Sequence, residues 1–136
     1  MTKAISYSAR ATDESLVCLR IYADAQGETH MEDVEIGLSS KLLFKHNPPL
    51  RLSATRAASG IHFCRVPLGM GEVSWHNPPR PMIVIWLTGE VEFETSDGDV
   101  RRLAAGSVVL AEDTTGRGHI SRHPREGQLV AHIELA

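Results

Sequence analysis

At 136 residues with a formal net charge of −3, the chain has room for one domain and one hydrophobic core. Adjacent basic residues occur only at Arg101-Arg102, and aromatic residues make up 5%, which excludes the charged footprint of a nucleic-acid binder and the stacking platform of a single-strand binder. The longest apolar run, Met82 to Leu87, is far short of the roughly 20 residues of a membrane helix. An N-terminus without an apolar h-region, together with only two cysteines, Cys18 and Cys64, predicts a cytoplasmic protein with reduced thiols. The expected partner is a small-molecule ligand or a second copy of the chain, with no nucleic acid and no membrane.

In the N-terminal 59 residues, Ser15 to Ala23 and Met31 to Leu38 read as strands, Gln26-Gly27 as a turn, and Ala54 to Ser59 as a loose connection or a helical turn. Residues 1–59 are therefore expected to form a β arm and connecting segment of the same domain, and residues 60–136 its core. His-Asn-Pro-Pro occurs at His46 to Pro49 and again at His76 to Pro79 with unmatched flanks, and both copies are expected to be extended, turn-like backbone.

From Gly60 onward, short strands alternate with turn residues. Ile61 to Pro67, Val73 to His76, Met82 to Leu87, Glu90 to Thr95, Val100 to Gly106, Ser107 to Ala111, Gly118 to Ser121 and Gln128 to Leu135 are the candidates, at a spacing that suggests a sandwich or barrel. Val91, Phe93 and Thr95 alternate with Glu90, Glu92 and Glu94, so one face is buried and the other wet. Asp97-Gly98 then marks a hairpin turn. In the last strand Leu129, Ala131, Ile133 and Leu135 share a face, which assigns His132 to the water side. Met82 to Leu87 is apolar on both faces, so a partner subunit or the N-terminal arm is expected to cover its outside. His62 shares a face with Cys64 and Val66, where a satisfied core or interface histidine is the commoner role.

Two stretches resemble the paired motifs of the cupin superfamily. Gly69, His76 and Met82 to Gly89 are similar to the first motif, and Gly106 to Leu110 with Gly116, Gly118 and His119 to the second. The resemblance implies an all-β jelly-roll barrel, the double-stranded β-helix, with an N-terminal β arm. It also implies that His76 and His119 point into the barrel, and that Met82, Val84 and Trp86 line a mainly apolar ligand pocket with them. In metal-binding members three histidines and a carboxylate converge. Here Pro78 stands in place of the second histidine and Met82 in place of the glutamate, so His76 and His119 are the two metal ligands present. His123 stands where the second motif has asparagine.

A divalent transition metal on two imidazoles needs further ligands, and Glu112, Asp113 or His62 are the residues available. Glu112 and Asp113 are equally readable as parts of a turn with Thr114 and Thr115. His76, Asp113 and Glu112 are the candidate catalytic residues, since an imidazole near a carboxylate serves acid–base chemistry. Three functions follow. The first is a small-molecule-binding protein with two inward histidines. The second is an enzyme of the cupin dioxygenase or isomerase type, metal-dependent or acting by acid–base chemistry alone. The third is a homodimeric assembly module.

Overall fold

The computed structural model describes residues 3–7, 10–124 and 127–136, and among these it contains strands and turns with no α-helix. No helix is thus long and apolar enough to cross a membrane. The strands are β1 (Ala4–Ile5), β2 (Ser15–Ala23), β3 (Thr29–Gly37), β4 (Ser39–Lys41), β5 (Leu50–Leu52), β6 (Ala58–Val66), β7 (Glu72–His76), β8 (Met82–Trp86), β9 (Glu90–Thr95), β10 (Val100–Ala104), β11 (Val108–Ala111), β12 (His119–Arg122) and β13 (Gln128–Leu135).

They form a five-stranded sheet, β1-β10-β9-β12-β7, a six-stranded sheet, β3-β2-β11-β8-β13-β6, and a small β4-β5 ribbon. From β6 onward, successive strands alternate between the two sheets except at the β9-β10 hairpin, and the orders β6-β13-β8-β11 and β7-β12-β9-β10 are those of an eight-stranded jelly roll. The fold is the cupin-like barrel that the paired motifs imply. Alternation sets its lining: Val91, Phe93 and Thr95 from one sheet, and Leu19, Ile21, Val84, Trp86, Val109 and Val130 from the other, are all buried.

Several expectations are corrected. The N-terminal strands do not cover β8. Instead β2 pairs in parallel with β11 and β3 adds outside β2, while β1 pairs in parallel with β10, so the arm widens both sheets edge to edge. Of the two alternatives for Ala54 to Ser59 the loose connection is found, coil through Ala57 that runs into β6. The two His-Asn-Pro-Pro copies differ: His46 sits in a turn at φ 71°, whereas His76 ends a strand. The outside of β8 therefore stays apolar, with Ile83 and Ile85 half-buried, Leu87 exposed at its end, and Ile61 and Phe63 exposed on β6 beyond β13.

The outer surface of the five-stranded sheet is the opposite in character. Arg122 bridges Glu72, Glu92 and Glu94, and these carboxylates hold its guanidinium above its ordinary pKa, fully charged. Such exposed bridges add little stability singly, but they match the wet side of the Glu90 to Thr95 alternation.

Candidate functional site

Between the sheets lies a cavity of about 310 Å³. His76, Met82, Val84, Trp86 and His119 all line it. Its two walls differ. The six-stranded sheet contributes mostly apolar groups, among them Ile21, Val66, Val109 and Val130, while β7 and β12 contribute His76, His119 and Ser121, with His123 just beyond.

His76 and His119 face each other as a cross-strand pair of β7 and β12, with ring centroids 4.5 Å apart. Between His119 and Ser121 the register shifts, so that two residues of β7, Ser74 and Trp75, oppose Ile120 alone. This bulge brings both Val73 and His76 to the inner face, which strict alternation forbids. The close approach also requires Gly118. It stands at φ +72°, and a Cβ there would come within 2.2 Å of the His76 carbonyl oxygen.

Both imidazoles are held by their Nδ1 atoms. His76 Nδ1–H donates to the Ser74 carbonyl at 2.7 Å, and since a carbonyl only accepts, Nε2 is left as the acceptor nitrogen of that ring. His119 Nδ1–H donates to Asp113 Oδ2 at 2.6 Å. Asp113 is fully buried and Oδ1 has no hydrogen-bond partner, so this carboxylate lies behind His119 rather than in the cavity lining. Phe93 meets His119 edge to face at 5.5 Å, fixing the ring from another side. Burial holds His76 below the usual histidine pKa, outweighing the Ser74 hydrogen bond, so the ring is neutral at neutral pH.

Asn77 was not among the sequence candidates. Its Nδ2 donates to the carbonyls of Asp113, Thr115 and Gly116 at 2.9, 3.1 and 3.3 Å, tying the segment after β7 to the loop that carries Asp113. The available signal was its place next to His76, ahead of two prolines that stiffen the backbone. Ser121 and His123 were also legible only in hindsight, as the same-side continuation of His119. Ser121 Oγ lies 3.2 Å from His123 Nε2, and His123 Nδ1 lies 3.0 Å from Gln128 Oε1, which also accepts Trp86 Nε1–H.

Other candidates fall elsewhere. Glu112 points away from the cavity and pairs with Arg20 and Arg56, because the alternation that turns Ala111 and Asp113 inward turns Glu112 outward. Only Asp113 of the two carboxylates meets the histidines. His132 does not face water alone: it lines the cavity with Val130, while Leu129 and Ile133 lie on the outer face. The larger apolar set of β13 is on the outside of the barrel, which is why counting apolar residues chose the wrong side. His62 is exposed at the rim and bonds to His132, away from His76 and His119.

A metal on His76 and His119 lacks its usual companions. Pro78 and Met82 line the cavity where the resemblance places a histidine and a glutamate, and Asp113 Oδ2 is engaged by His119. Among the described residues no three His, Cys, Asp or Glu side chains are grouped to hold a metal ion. The pair therefore does not fit the superfamily's metal set.

No family model matches the chain, and no curated protein matches it. Solved structures do. One is the protein NMB1881 from Neisseria meningitidis, 20% identical over 60% of this chain and 77% of that one, with a TM-score of 0.47. Another is the cupin domain of Cnp3 from Schizosaccharomyces pombe, 13% identical over 94% of this chain and 88% of that one, with a TM-score of 0.42.

Proposed function

We propose that the chain binds a compact, largely apolar, uncharged molecule carrying one hydroxyl-type group, with His76 and His119 as its polar anchor. The observation that supports this most is the imidazole pair at 4.5 Å inside a cavity of about 310 Å³ whose opposite wall is mostly apolar. With Nδ1 of each ring already engaged, Nε2 is the nitrogen left for a ligand. Among the described residues no lysine or arginine lines the cavity, which disfavours a carboxylate or phosphate ligand.

Phenol, toluene and benzoate separate these requirements: an apolar ring with a hydroxyl, without one, and with an anion. The expected order in a thermal-shift titration is phenol first. His119→Ala removes that preference while leaving weak toluene binding, because a site built to pair a hydroxyl discriminates against ligands lacking it. Equal binding of all three by the wild type, or a preference for phenol that survives both His119→Ala and His76→Ala, overturns the reading.

A second reading draws on the buried 2.6 Å bond between His119 and Asp113. In an enzyme of the isomerase type without metal, Asp113 orients His119 so that its Nε2 takes or gives a proton, and His76 is the second acid–base group. Replacing Asp113 with Asn then lowers turnover far more than substrate binding.

Homodimer formation is proposed for the open apolar surface around β8, where Ile61 and Phe63 are exposed. Sedimentation velocity of Phe63→Lys against the wild type tests it. A wild type that stays monomeric at micromolar concentration contradicts it.

A further inference from the structure

On the wall opposite His76, two other histidines meet. β13 and β6 are antiparallel neighbours in which His132 and His62 are direct cross-strand partners. His132 Nδ1 lies 2.9 Å from His62 Nε2, with ring centroids 4.8 Å apart and planes at 88°. His132 lines the cavity and His62 is exposed, so the contact sits at the cavity rim, in reach of water. Among the described residues neither ring is tied to a carboxylate or a carbonyl: the two nitrogens of the contact bond each other.

From this geometry we infer a second site, in which a divalent ion of the nickel or copper class takes the place of the shared proton between His62 Nε2 and His132 Nδ1. Imidazole nitrogens bind such ions at about 2.1 Å, so two of them 2.9 Å apart subtend close to 90° at the metal. That is the cis angle of tetragonal and octahedral coordination. A tetrahedral ion such as zinc needs roughly 3.4 Å between its ligands at the same bond length. Each ring turns by roughly 45° to carry its lone pair from the N···N line onto the ion, and the open rim lets water fill the other positions.

His76 and His119 differ in that each Nδ1 is engaged from behind, by the Ser74 carbonyl and by Asp113, whereas among the described residues His62 and His132 bond only each other. The remaining positions of the ion face the cavity from the side across from His76. Cys64, on the same strand face as His62, also lines the cavity and is the group to exclude as an alternative ligand.

Titration of the whole chain with nickel(II) at pH 7.5, followed by calorimetry, tests the site. One saturable site is expected, weakened by about tenfold or more in His62→Gln and in His132→Gln, and changed less than about twofold in His119→Gln and in Cys64→Ala. Zinc is expected to bind more weakly than nickel. His62 is exposed, so its variant is expected to keep the wild-type melting temperature, which separates ligand loss from misfolding. The inference is overturned if nickel does not saturate one site, if His62→Gln binds as the wild type does, or if His119→Gln or Cys64→Ala abolishes binding.

Discussion

The two histidine pairs of the cavity share a motif, an imidazole opposite an imidazole across antiparallel strands, yet they are held in different ways. His76 and His119 are each fastened from behind, by the Ser74 carbonyl and by buried Asp113, so their rings are oriented before any ligand arrives. His62 and His132 satisfy each other at the rim. A ring fastened through Nδ1 presents a fixed Nε2 to the cavity, whereas a pair that shares one proton has a position that a cation can take over. The fastening, more than the presence of histidine, distinguishes the two.

Substitutions that loosen the fastened pair are expected to cost most. Gly118→Ala puts a side chain at positive φ and against the His76 backbone, and is expected to destabilise the fold by about 2–5 kcal/mol in urea denaturation. Asp113→Ala leaves a buried imidazole N–H without its acceptor, at about 2–4 kcal/mol, and Asp113→Asn recovers part of this. If Asp113→Ala were as stable as the wild type, His119 would not be held by it. At the rim, His62→Gln is expected to cost less than about 0.5 kcal/mol.

Acid separates these groups from a third histidine. His76 and His132 have folded pKa values lowered by burial, so between those values and the unfolded value of 6.5 the unfolded chain binds more protons. Stability therefore rises with pH through that window and is lost as pH falls below about 6.5. His30 has the opposite sign. Asp24 and Asp97 hold it, and its pKa is raised chiefly by the Asp24 hydrogen bond, so its contribution is present below 6.5 and lost as pH rises through its folded value. Melting temperature measured from pH 5 to 8 is expected to decline less steeply toward acid in His132→Gln, and more steeply in His30→Gln.

Strands of the barrel were legible where side chains alternate: β9 and β13 have the bounds that their patterns suggest, because one face of each is wet or less crowded. β4 and β5 were not, since Ser39–Lys41 is wholly exposed and carries no alternation. The pairing of His76 with His119 could be anticipated from the resemblance to the paired cupin motifs. The Asp113 fastening could not, as it depends on the loop of residues 112–118 closing over β12, where Asn77 holds it. His132 was assigned to water because β13 has more apolar residues outside the barrel than inside, a pattern that a sequence alone reads backwards.

The central claim is that His76 and His119 present their Nε2 atoms to a ligand in the cavity. Nitrogen-15 NMR of the imidazoles during a phenol titration tests it most directly. The account predicts that the Nε2 resonances of His76 and His119 shift saturably while their Nδ1 atoms stay protonated, and that His62 and His132 shift little. Saturable binding that moves only His62 and His132, or leaves every imidazole unmoved, would contradict it.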